Sequence, residues 1–138
     1  MAAKLHELRP RPGDSEKITI NLGYVDLGHI DLLVQDGFYA NRTDFIRTAI
    51  RNQLTAQDDA VARSIARHSL DLGLREITRA ELEAAAASGP LHIRVVGLAR
   101  IAADVSPELA RAAIGSITVL GALQAPAAVK AALRDRTR

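Results

Sequence analysis

Six residues near the start of the chain alternate strictly between polar and apolar: Lys17, Ile18, Thr19, Ile20, Asn21 and Leu22. A period of two predicts a strand with one apolar face and one polar face. No second strand pattern follows within hairpin distance. Two helical patterns follow instead. Leu27, Ile30, Leu33 and Val34 recur at helical spacing, and "QDG" closes that run. Its glycine, Gly37, suits the left-handed position just past a helix C-terminus. Asn41 then stands as an N-cap, with Asp44 three residues on to support the first turn. Phe45, Ile46, Ala49, Ile50 and Leu54 mark one face of this second helix. Residues 57–68 predict a helical connector that either continues the second helix to about His68 or breaks near Asp58.

A longer rhythm governs the rest of the chain. Gly73, Gly97 and Gly121 lie 24 residues apart. Leu72, Val96 and Leu120 precede them, and Leu74, Leu98 and Ala122 follow. Ile77, Ile101 and Ala125 sit four positions after the glycines, and Ser69, Ile93 and Ile117 four before. Each unit reads as a short strand, a turn and a short Ala-rich helix, with Thr78 and Ser106 as N-caps and Pro107 at a first helical position. A fixed period in this range is the signature of stacked units, where neighbours bury what one unit cannot. The expectation for residues 69–138 is three βα repeats of about 24 residues around a small parallel sheet. Glycines inside strand patterns mark close packing or a bulge rather than a phosphate loop.

Composition narrows the chemistry. The chain has 138 residues, 48% of them hydrophobic but only 3% aromatic, so Ala, Leu, Ile and Val must build the core. It has no cysteine, which excludes disulfides, thiolate metal sites and thiol nucleophiles and fits a reducing interior. No run approaches the roughly 18 apolar residues of a membrane span, and "MAAKLHELRPRPGD" holds no apolar leader. A cytoplasmic protein, associated with the nucleoid, is expected. Net charge is only +2. Residues 1–56 carry seven basic and seven acidic side chains, and the remainder eleven and nine. Nucleic-acid binding must therefore rest on local placement. Residues 1–15, with Lys4, His6, Arg9 and Arg11 around two prolines, predict a flexible basic arm.

A lone strand leaves its backbone donors and acceptors unpaired. The same strand from a second copy of the chain would satisfy them as a two-stranded antiparallel ribbon. One face of that ribbon would carry Ile18, Ile20 and Leu22 from each chain. The other would carry Lys17, Thr19 and Asn21. This polar triplet suits a major groove: lysine can donate to guanine, asparagine can bond bidentately to adenine, and the threonine methyl can meet thymine.

The order strand, helix, Gly-containing turn and "NRTDFIR" opening a second helix resembles the ribbon-helix-helix family, the MetJ–Arc–CopG group of DNA-binding repressors. The resemblance covers about residues 15–55. "KITINL" is similar to the family's strand and "YANRTDFIRTAIRNQL" to its second helix. "GYVDLG" departs from the proline–acidic start that family members often give the first helix. The resemblance implies an intertwined dimer sharing the core of Ile18, Ile20, Leu22, Phe45, Ile46 and Ile50. It implies base contacts by Lys17, Thr19 and Asn21. It also implies phosphate contacts by Asn41, Arg42 and Thr43 at a helix start, where free amides and the helix dipole favour an anion.

The resulting expectation is an α+β protein with four segments: an arm at 1–15, a ribbon-helix-helix domain at 16–56, the connector at 57–68 and an assembly or partner-binding module at 69–138. It reads as a bacterial transcriptional regulator, a repressor, that binds double-stranded DNA as a homodimer or higher oligomer. Two rivals share this pattern: an antitoxin whose C-terminus neutralises a toxin, and a scaffold or filament protein in which the repeats stack. No cofactor, metal or catalytic residue is expected. His6, His29, His68 and His92 lack tight ligand spacing, and Ser64, His68 and Asp71 mimic a hydrolytic triad in order alone.

Overall fold

The computed structural model describes residues 15–138; the basic stretch 1–14, with Lys4, His6, Arg9 and Arg11, lies outside them. The chain divides into two compact units, Met1–Val61 and Ala62–Arg138.

In the first unit, residues 15–23 hold neither helix nor strand. The expected strand at 17–22 is therefore not formed in the single chain. A strand exists through its ladder bonds, and the described residues of this unit form no strand to pair with it. Helix α1 spans Tyr24–Gln35 and follows Gly23 directly. Gly37, at φ +86°, ends it in a Schellman turn. The Phe38 amide donates to the Leu33 carbonyl at 3.0 Å and the Gly37 amide to Val34 at 3.1 Å. Helix α2 spans Arg42–Ala56 and stops at Gln57. Helix α3, Asp58–His68, begins one residue later and runs across the division between the units.

The second unit is a three-stranded parallel sheet in the order β1 (Asp71–Ile77), β2 (Leu91–Ile101) and β3 (Ile114–Gln124). Each strand is followed by a helix: α4 (Arg79–Ser88), α5 (Pro107–Ala113) and α6 (Ala127–Ala132). The caps lie where the sequence puts them. Thr78 Oγ1 accepts from the Glu81 amide at 3.2 Å, and Ser106 Oγ from the Leu109 amide at 3.1 Å. The helices pack side by side, α4 on α5 and α5 on α6. They cover one sheet face, and a core of Ile, Val, Leu and Ala closes between the layers. Ile77, Leu82, Val95, Ala99, Ile114, Ile117, Val129 and Leu133 are fully buried there. A short 3₁₀ turn, Arg134–Arg136, leads to a terminal segment beside β3. Thr137 bridges to Ile117 in parallel fashion, and the Arg138 amide donates to the Ile117 carbonyl at 2.9 Å.

The strand register explains the 24-residue rhythm. Gly73 pairs with Gly97 and Gly97 with Gly121, so the glycines form one row across the sheet. All three have positive φ: +113°, +133° and +122°. A Cβ on Gly97 would overlap the carbonyl oxygen of Gly73, and one on Gly121 that of Gly97. On Gly73 it would meet open space.

An ion pair fastens β1 to α4. Arg75 of β1 donates through both terminal nitrogens to the carboxylate of Glu81 on α4. This bonding holds the Glu81 carboxyl below its usual value. The folded value is the lower one, so the pair's stabilising contribution is present above the ordinary glutamate value and is lost as the pH falls through the folded one. On the outer face Glu76, Arg100 and Gln124 form a cross-strand row, with Arg100 donating to Glu76 at 3.3 Å and to Gln124 at 3.1 Å.

The glycine row yields a graded expectation. Gly73→Ala should cost only the backbone strain of a left-handed conformation, on the order of 1–3 kcal/mol. Gly97→Ala and Gly121→Ala add a backbone overlap and should cost more. Urea denaturation of the three variants, followed by circular dichroism, checks the order; equal losses would mean that the overlap relaxes without cost.

Candidate nucleic-acid interface

The elements that carry the candidate DNA contacts all lie in the first unit. Lys17, Thr19 and Asn21 are exposed, as are the apolar residues between them: Ile18 is 72% exposed, Ile20 57% and Leu22 38%. The alternation of the sequence is present, but neither face of the segment is covered.

The start of α2 is more tightly specified. Asn41 has an extended backbone, and its side-chain Oδ1 accepts from the Asp44 amide at 2.8 Å. The Asp44 carboxylate in turn accepts from the Ala40 amide at 2.9 Å. The two side chains thus satisfy donors on either side of the helix entry, one residue offset from a standard capping box. Tyr39 and Phe45 pack edge to face across the same entry, with ring centroids 5.0 Å apart at 84°. The turn is therefore held by polar and aromatic contacts at once. The Arg42 and Thr43 amides, in the first turn, have no intrahelical acceptor and point toward any anion placed there.

Arg42 itself is engaged. It donates through Nε and Nη2 to the two carboxylate oxygens of Asp31 on α1, both at 2.8 Å. The bidentate contact holds the Asp31 carboxyl below its usual value and the Arg42 guanidinium above its own. Both side chains are about half exposed, so water screens the pair and its contribution to stability is small. A DNA phosphate at this helix start would compete with Asp31 for the same guanidinium. Sequence reading missed this partner. Its signal was weak: an acid in the interior of the first helix, eleven residues before the arginine.

Of the six residues expected in a shared core, Phe45 and Ile46 are half-buried, whereas Ile50 is 46% exposed. Among the described residues of this unit, Ile30 alone is buried. No helix among them is long and apolar enough to cross a membrane.

A family model described as the Ribbon-Helix-Helix transcriptional regulator family matches residues 13–130. The chain belongs to this family. The match runs past α2 and through all three strands of the sheet, so the βα unit is part of the family pattern rather than an unrelated appendage. Comparisons with curated proteins and with solved structures returned no match.

The Arg42–Asp31 pair leads to a test on DNA. Asp31→Ala should release Arg42 for phosphate, raise affinity for all duplexes and steepen the salt dependence by about one unit. Binding titrations across a range of salt concentrations measure both. An unchanged slope would show that Asp31 does not compete.

Proposed function

We propose that this ribbon-helix-helix protein is a sequence-specific repressor that binds the major groove as an intertwined homodimer. The exposed apolar side of residues 17–22 carries this reading. A unit that buries only Ile30 among its described residues while exposing Ile18, Ile20, Leu22, Ile50 and Leu54 has too little core to stand alone. Pairing two copies of residues 17–22 would satisfy their backbone groups and cover those side chains together. It would also set Lys17, Thr19 and Asn21 from both chains on one polar face for base contacts. Asn41, Arg42 and Thr43 would flank that face and hold phosphates.

The βα unit supplies the assembly function in this reading. Parallel sheets are ordinarily covered on both faces. Here the face away from the helices exposes Leu72 at 71%, Leu74 at 58% and Leu120 at 58%, with Val96 and Leu98 half-buried between them. This apolar band supports a further contact between copies, made at high effective concentration once the ribbon has joined two chains. The unit has a closed core of its own. That sets it apart from an antitoxin tail that folds only on its toxin.

Two variants test the reading. Ile20→Lys would bury a charge in the shared core, a change usually too costly for a small domain; light scattering should show loss of the dimer, and DNA binding should fail with it. Asn21→Ala should keep the dimer and its affinity for random DNA while relaxing the sequence preference seen in selection from a random pool. A folded, DNA-binding monomer in the first case, or an unaltered preference in the second, would overturn the model.

A further inference from the structure

On the outer face of the sheet, where β2 and β3 begin, lies a cavity of about 310 Å³ lined by His92, Arg94, Ser116, Thr118 and Arg138. Its construction follows from the register. His92 pairs with Ser116 and Arg94 with Thr118, so four polar side chains of adjacent strands share one face. Ile93 and Ile117, between them, point into the core. The terminal segment adds Arg138, held beside β3 by its main-chain bond to Ile117.

The lining groups are set in place. His92 Nδ1 lies 2.8 Å from Ser116 Oγ. Its ring rests where Gly115 has no side chain; a Cβ there would sit 2.7 Å from the His92 Cε1. Arg94 donates from Nη1 to the His68 carbonyl at 2.9 Å, which fixes the guanidinium while leaving most of its five N–H donors for another acceptor. Two arginines, a serine, a threonine and a histidine line the cavity, and no aspartate or glutamate does.

We propose that this cavity binds the phosphate group of a small molecule. Arginine forks match the oxygen spacing of phosphate and bond it bidentately, and hydroxyl donors complete a tetrahedral oxyanion's contacts. The volume lies at the lower end of small-ligand sites, room for a phosphate with a modest organic group. The site is independent of the ribbon and of the α2 start, so it stands whether or not the DNA reading does.

Calorimetry of the full chain with inorganic phosphate, against chloride at matched ionic strength, tests this directly. Saturable binding to the native protein is expected. Arg94→Ala and Arg138→Ala should each weaken it roughly tenfold, the loss of a charge-assisted hydrogen bond. Thr118→Val, nearly isosteric and without a charge change, should weaken it less while leaving the fold unaltered by circular dichroism. Absence of saturable binding, or equal binding by all variants, overturns the proposal. So does a parallel loss of DNA affinity and salt dependence in Arg94→Ala and Arg138→Ala, because the cluster would then be a contact for the DNA backbone. DNA binding that stays intact while phosphate binding falls supports a small-molecule site.

Discussion

Apolar surface must leave water somewhere, and the two units of this chain meet that demand by different routes. The βα unit folds its strands under its helices and buries a continuous core of branched aliphatic and alanine side chains. With no aromatic side chain in that core, it depends on many small contacts at close range, where a single misplaced methyl group is felt. The helical unit spreads comparable side chains over an open surface. Its caps and turns are well made, but local bonds of this kind fix the shape of a helix pair without supplying the burial that stabilises it.

The same contrast separates the two polar regions. At the α2 entry, Asn41, Asp44, Tyr39 and Phe45 hold the backbone in place, while the charged group at the site, Arg42, is bonded to Asp31. On the sheet, Arg94 and Arg138 line one cavity with Ser116 and Thr118, and no aspartate or glutamate lines it. A positive group that already has a carboxylate partner contributes to anion binding only what the exchange of partners releases. One without such a partner contributes more.

Much of this was legible in the residues. Gly37 marked the end of α1, Asn41 and Asp44 the start of α2, and Thr78, Ser106 and Pro107 the starts of α4 and α5. Such signals are local, since a cap or a left-handed turn is decided within a few residues. The glycines 24 residues apart lie level because β1, β2 and β3 are parallel neighbours in consecutive order. The partner of Arg42 was not legible, because helix-to-helix pairing depends on how two helices cross. The cavity was not legible either. His92 and Ser116 share the 24-residue offset, but Arg138 reaches them only because the terminal segment turns back along β3. Residues 17–22 are the remaining case: their alternation predicts a strand, and the single chain forms none there.

The row of glycines also limits how the sequence can change in length. Gly97 and Gly121 each admit the carbonyl of the glycine on the strand before, so the three must stay level across the sheet. One residue added within β2 would slide Gly97 out of line and turn every side chain after it to the opposite face. A residue added in the Gly89–Pro90 connection would be absorbed by the loop. Adding a whole strand–helix period would preserve the alignment, whereas an insertion of another size would preserve it only in the connections between the layers.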